Sequence, residues 1–246
     1  VETKNSFLRI FYIQKGGNML KKKVWHVLTI TLLLSLSMGA LSAVTGDKPE
    51  FYKLTDLDKW TVNNRKTEIV TYKGKEALRL NEAMGTGIAY LKDMEFENGI
   101  IELDIAAIPR FTGLVFRAKD KDTYESIYFR PQNSRNPDKR ENVVQYVSHP
   151  EYPWQVLRKN FPGKYEAALD IPPGEWFHVK VVVSGKEAKV FVNEAKMPCL
   201  VVSDLKHGIS KGFVGILAGN TSGGTFANFR VTAFSKKASK RYARNR

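Results

Sequence analysis

The chain has 246 residues, 43% of them hydrophobic, with 39 basic and 25 acidic side chains and one cysteine. A lone cysteine excludes an internal disulfide framework, so a folded domain must rest on its core. The net charge of +14 sits at the ends: residues 1–43 and 236–246 hold 12 basic side chains and one acidic, leaving 27 against 24 between them. A nearly balanced middle lacks the basic patch that nucleic-acid binding requires.

Residues 1–18 read as an upstream extension. Lys15-Gly16-Gly17 precedes Asn18-Met19 at the spacing of a purine-rich ribosome-binding site, so the start is expected at Met19 in a bacterial host. Residues 19–43 have the layout of a secretory signal peptide. Lys21-Lys22-Lys23 opens it, Val27 to Met38 is apolar, and Gly39, Ala40, Ser42 and Ala43 follow as small residues. Cleavage is expected after Ser42 or Ala43. No cysteine is available for acylation, so a periplasmic or extracellular protein without a lipid anchor or stable membrane insertion is predicted.

Residues 44–235 read as one domain, and 236–246 as a basic disordered tail. Strand-like runs are predicted at 51–54, 67–72, 76–81, 88–92, 99–108, 112–118, 124–130, 142–148 and 155–158. Turn residues punctuate them every dozen positions or so. Within 99–108, Ile101, Leu103 and Ile105 alternate with Glu102, Asp104 and Ala106, which marks Glu102 and Asp104 as a solvated face. Four further runs fill Trp176 to Phe234, the first two joined through a turn at Ser184-Gly185-Lys186. No helical period is sustained, and two curved antiparallel sheets follow as the expected architecture.

Alternation in the middle of the chain sets Leu114 and Phe116 against Gly113, Val115 and Arg117. It likewise sets Glu125, Ile127 and Phe129 against Tyr124, Ser126, Tyr128 and Arg130. Aromatic faces stack on sugar rings, and arginine and amide groups bond to hydroxyls. Such a face is either a saccharide site or an ordinary solvated sheet. Glu125 falls on the apolar side, where it either pairs with an arginine or acts as an acid or base in a cleft. Asp120-Lys121-Asp122 suits a hairpin turn better than a calcium site. His178 is expected to pack beside Trp176, His207 to sit in a turn, and Cys199 to be a small buried hydrophobe.

The run from Trp176 to Phe234 includes Val190-Phe191-Val192-Asn193, Gly212-Phe213-Val214-Gly215 and Phe226-Ala227-Asn228-Phe229-Arg230-Val231. It resembles the C-terminal half of jelly-roll domains of the concanavalin-A-like lectin/glucanase superfamily. The run Tyr124 to Ser134, then Val144-Gln145-Tyr146, then Trp154-Gln155-Val156-Leu157, is similar to the middle of 3-keto-disaccharide hydrolase domains and their laminin-G-like relatives. The resemblance spans about Phe51 to Phe234. It implies an all-β, two-sheet antiparallel jelly-roll sandwich with a glycan-related role outside the cytoplasm. This fold hosts binders and enzymes alike.

Glucanases of that superfamily carry Glu-x-Asp-x-(x)-Glu on one strand. Here Glu102-Leu103-Asp104-Ile105 ends in Ala106-Ala107, so a two-glutamate retaining pair is missing. Cleavage of a 3-keto-glycoside asks for less, namely one base and one group to hold an enolate. Glu125 or His149 is the candidate base, with Arg117 or Arg130 as its electrophilic partner. The expected reading is a concave sheet that binds a saccharide or polysaccharide through Tyr128, Arg130, Asn133, Gln145, Tyr146, Trp154 and Gln155. Cleavage of 3-keto-glycosides and a laminin-G-like protein-binding role are the alternatives, and no metal, cofactor or nucleic-acid partner is predicted.

Overall fold

The computed structural model describes residues 50–107, 110–235 and 238–239. The predicted upstream extension, the signal peptide and all of the basic tail except Ala238 and Ser239 lie outside the described residues. In chain order the strands begin β1 (Glu50–Phe51), β2 (Trp60–Asn63), β3 (Thr67–Tyr72), β4 (Lys75–Ala83) and β5 (Gly87–Leu91). They continue β6 (Gly99–Ala106), β7 (Thr112–Ala118), β8 (Tyr124–Phe129) and β9 (Val144–His149). After helix α1 (Trp154–Asn160) come β10 (Glu166–Ala167), β11 (Phe177–Ser184), β12 (Glu187–Val192), β13 (Leu200–Val202), β14 (Phe213–Ala218) and β15 (Ser222–Ala233).

Among the described residues the strands form two antiparallel sheets. Sheet A runs β13-β12-β11-β6-β15-β4-β3, with β1 added on β15, and sheet B runs β10-β9-β8-β7-β14-β5-β2. This is the two-sheet jelly-roll sandwich. Strands far apart in sequence are neighbours, as β14 between β5 and β7 shows. The inward residues follow the alternation: Leu78 and Leu80, Ile101, Leu103 and Ile105, Leu114 and Phe116, Ile127 and Phe129 are buried at 0–1% exposure. Burying such side chains contributes about 1.5–3 kcal/mol each relative to exposure, and in the absence of a disulfide this core holds the sheets together.

The opposite face of sheet B is laid out by register. Asn63 pairs with Ile88, Ile88 with Leu217, Leu217 with Gly113, Gly113 with Tyr128, Tyr128 with Gln145, and Gln145 with Glu166. These seven residues therefore stand in one row pointing away from the core. Gly113 is required there: a Cβ would lie 2.1 Å from the Ile127 carbonyl oxygen of the adjacent strand.

Three sequence expectations are corrected. Residues 155–158 are not a strand but part of α1, which starts directly after an extended Pro153 and buries Leu157. A short apolar run has no period long enough to separate helix from strand. His178, expected to pack beside Trp176, is instead paired with carboxylates. It stands on the outer face of sheet A, where its Nδ1 lies 2.8 Å from Asp104. Asp104, expected to be solvated, is 5% exposed, and Lys75 Nζ and Asn228 Nδ2 each donate to it at 2.6 Å. Cys199 is half-buried, its Sγ 3.4 Å from the Val190 carbonyl, and burial pushes its thiol up to about 11.

Candidate functional site

A cavity of ≈ 500 Å³ lies on the outer face of sheet B, walled by Phe111, Tyr128 and Trp154 and reached by Tyr124, His149 and Gln155. Strand alternation places Tyr124 and Tyr128 on this face, and β9 brings His149 opposite Tyr124. The two rings lie 5.0 Å apart. The segment after β9 turns back through an extended Pro153, and α1 then sets Trp154 at the rim, 37% exposed. Arg158 lies over the Trp154 ring at 4.7 Å, and Arg130 over the Tyr128 ring at 4.7 Å.

The polar groups at this cavity are held in defined states. Arg130 donates from Nη2 to the Tyr128 hydroxyl at 2.7 Å and from Nη1 to the Asn142 carbonyl at 2.8 Å. The Tyr128 oxygen thus accepts from Arg130 and keeps its own proton to donate. Burial raises the Tyr128 phenol well above its usual range and pushes Tyr124 up to about 12, so both stay neutral donors. Burial, and then the nearby His207, hold His149 below the usual histidine value. An imidazole kept neutral at pH 7 can accept a proton. Its position is fixed from behind, because His207 Nε2 lies 3.1 Å from the His149 carbonyl oxygen.

Three predicted site residues are turned into the interior. Arg117 has φ 51°, and β7 is bulged against β14 at this point, which turns its side chain out of the alternation and into the interior. There it is fully buried and donates to the carbonyls of Glu97, Gly208 and Gly185 at 2.9, 2.5 and 2.7 Å. Glu125 is on the core side, as alternation requires, 3.6 Å from Arg117. Tyr146, expected to touch substrate, faces inward and donates to Glu125 at 2.6 Å. Glu125 is therefore structural, with no route to a ligand at the Tyr128 cavity.

Gln145 shares the row with Tyr128, yet it is fully buried, its amide donating to the carbonyls of Tyr146 and Tyr165. Asn133 lies in the 3-10 turn Pro131–Arg135, where its backbone bonds the turn together, and it does not line the cavity. Tyr128, His149, Trp154 and Gln155 are brought together as expected, with Arg130 behind Tyr128. Phe111, Thr86 and Leu217 were missed. They come from three other segments, and only the long-range register of β5, β7 and β14 gathers them.

Residues 53–232 match the 3-keto-alpha-glucoside-1,2-lyase-like domain family. The chain belongs to that family. No curated protein matches it in sequence. Solved structures that it resembles include a proposed glycosyl hydrolase of Parabacteroides distasonis ATCC 8503, at TM-score 0.55 and 16% identity over 76% of this chain and 100% of that one. The carbohydrate-binding module CBM66 of Bacillus subtilis aligns at 0.52 and 14% identity, over 70% and 93%. The exoplasmic/lumenal domain of VIP36 bound to Ca2+ and Man3GlcNAc aligns at 0.52 and 11%, over 76% and 91%. At these identities the likeness establishes the fold alone.

For a member of the 3-keto-alpha-glucoside-1,2-lyase-like family, the cavity offers one neutral histidine, two neutral phenols and two aromatic walls. Among the described residues, Glu125 is turned inward and Glu166 is held by a forked pair of bonds from Arg158 at 2.7 and 2.9 Å, so neither supplies a free carboxylate for retaining hydrolysis at this cavity. Base chemistry at carbon, assisted by hydrogen-bond donors, is what these groups can perform.

Proposed function

We propose that this domain, acting outside the cytoplasm, binds a saccharide on the outer face of sheet B and cleaves 3-keto-glycosides by elimination. The ketone acidifies the hydrogen on the neighbouring carbon, C2. His149 takes that proton, and the electron pair passes through an enolate whose charge rests on the ketone oxygen. Collapse of the enolate forms the C1–C2 double bond and breaks the C1–O bond, and the departing oxygen collects a proton. Atoms balance without an oxidant. Tyr128, fixed by Arg130, donates to an oxygen of the bound ring, while Trp154 and Phe111 stack on its apolar face.

The observation that carries this reading is a half-buried, neutral His149 at an aromatic cavity in a chain whose family is 3-keto-alpha-glucoside-1,2-lyase-like. A non-catalytic saccharide-binding role is the second reading, favoured by the exposed Trp154 ring at the rim.

Incubation with a 3-keto-disaccharide in deuterated water separates the two. Wild type is expected to release free sugar and to exchange deuterium into C2. His149→Ala is expected to lose both by about 10²–10⁴-fold, the usual worth of a general base, while its calorimetric affinity stays near wild type. Trp154→Ala is expected to lose affinity. Undiminished turnover in His149→Ala overturns the mechanism, and saturable binding with neither turnover nor exchange in wild type establishes the binding role instead.

A further inference from the structure

The outer face of sheet A carries a row of side chains that the cavity on sheet B does not use. Register sets Phe51 beside Arg230, Arg230 beside Glu102, Glu102 beside Lys180, and Lys180 beside Phe191. These residues cross β1, β15, β6, β11 and β12, and alternation points them away from the core. The row has a ring at each end, a cation next to each ring, and a carboxylate in the middle. Arg230 lies over the Phe51 ring at 5.8 Å and Lys180 over the Phe191 ring at 4.8 Å.

Charge on this face is lopsided. Glu102 is met by His178 at 3.8 Å and Arg230 at 3.9 Å, with Lys180 alongside. Asp104, two residues further along β6, is met by His178 at 2.8 Å and Lys75 at 2.6 Å. Hydrogen bonds to Asp104 and then Glu102 raise His178 to about 9, so it is charged at neutral pH. Four cations thus face two carboxylates. His178 and Lys75 are spent on Asp104, but Lys180 and Arg230 make no side-chain hydrogen bond among the described residues. Their N–H groups are open to an incoming anion. Phe51 is 56% exposed, and a cavity of ≈ 330 Å³ opens beside it, reached by Lys75 and Asn228. Lys53 and Glu76, which also line that cavity, offset one another in charge.

We propose that the outer face of sheet A is a second glycan site, which takes an acidic polysaccharide bearing uronate carboxylates. Arg230 and Lys180 each bind a carboxylate, and Glu102 between them accepts from the hydroxyls of the intervening sugar. Phe51 and Phe191 stack on sugar faces at the two ends. Neighbouring strands are about 4.8 Å apart, so the two cations stand about 10 Å apart and the two rings about 19 Å. No single sugar spans that row, and the ligand is therefore a polymer. Lipid headgroups fit less well: a bilayer recruits clusters of about four to eight basic residues, whereas this face sets two carboxylates among its cations. The site is independent of any reaction at His149.

Calorimetric titration with oligogalacturonate, and with the same oligomer fully methyl-esterified, tests the assignment. Wild type is expected to bind the acid form and to lose at least about tenfold in affinity on esterification, the size of one charge-assisted hydrogen bond. Lys180→Gln and Arg230→Gln stand at half-exposed positions where exchange costs little stability. Each is expected to weaken binding of the acid form about tenfold by the same arithmetic, with the urea midpoint near that of wild type. In 15N-labelled wild type, the oligomer is expected to shift the backbone amides of Glu102, Lys180 and Arg230. No binding, equal binding of the two forms, full affinity in both variants, or shifts confined to Tyr128 and His149 overturns the proposal. So does capture by vesicles of phosphatidylglycerol and phosphatidylcholine without affinity for the oligomer, which makes the face a membrane contact instead.

Discussion

Arg117 ties together segments that are distant in sequence. Its guanidinium reaches three backbone carbonyls, at Glu97, Gly185 and Gly208, and stands beside Glu125 in a fully buried setting. Burial lowers its pKa and the Glu125 charge opposes that shift, yet an arginine keeps its proton. Removing one member of a buried pair leaves the other uncompensated. Arg117→Met is therefore expected to lower unfolding stability by about 3–5 kcal/mol, read as a fall in the urea midpoint. Glu125→Gln, which retains an acceptor for Tyr146, is expected to cost less. Equal and small losses would contradict a structural role. The inward turn of Arg117 was not legible from alternation, because a single left-handed residue at a bulge resets the face. Tyr128 keeps the face that alternation gives it, opposite the residues of β9, the strand that carries His149, because no register shift separates β8 from β9. Tyr146 was misplaced as a ligand contact although the strict two-residue period sets it with Glu125 and not with Tyr128; its phenol serves the buried carboxylate.

At the level of strands, sheet B depends on close backbone approach as much as on side-chain burial. Gly113 lies between β8 and β14, and an added Cβ would meet the Ile127 carbonyl oxygen at 2.1 Å and the Tyr128 Cα at 2.5 Å. Both are backbone atoms, so relief requires one strand to move. Gly113→Ala is expected to destabilise by about 1–3 kcal/mol, as overpacking does, and to weaken saccharide binding as well, because the displaced strand carries Tyr128. A paired measurement of the urea midpoint and calorimetric affinity checks this; loss of stability with unchanged affinity would separate Gly113 from the Tyr128 wall. The strand order explains what the sequence conceals here. β7 and β8 are joined by a short hairpin and could be paired by inspection. Insertion of β14 between β7 and β5 brings Leu217 into the Tyr128 row from about a hundred residues away. No local pattern encodes that contact.

Across the whole molecule, the outer faces of the two sheets are chemically distinct, and they are expected to respond to pH separately. On sheet A, hydrogen bonds to Asp104 and then Glu102 raise His178 to about 9, from an ordinary value of 6.5. Burial works against ionising Asp104, but its bonds from His178, Lys75 and Asn228 prevail and bring it to about 2. His178, with its folded value raised, contributes stability fully below pH 6.5 and loses it as pH climbs through about 9. Asp104, with its folded value depressed, contributes stability above pH 3.8 and loses it as pH falls through about 2. On sheet B the requirement is different: as the proposed base, His149 must be unprotonated to act, and burial holds its pKa below 6.5. Activity is therefore expected to fall on the acid side below pH 6.5, where the His178 contribution is complete, and to persist into the range where that contribution fades. The decisive measurement records the pH dependence of kcat/KM and of the urea midpoint for wild type, His149→Ala and His178→Ala. His178→Ala is expected to flatten the stability loss between pH 6.5 and 9 while leaving the acid limb of activity in place, and His149→Ala is expected to remove activity without altering that alkaline slope. An acid limb of activity displaced by His178→Ala would mean that the two faces are coupled through the core, and would remove the basis for treating His149 as a base set by its own surroundings.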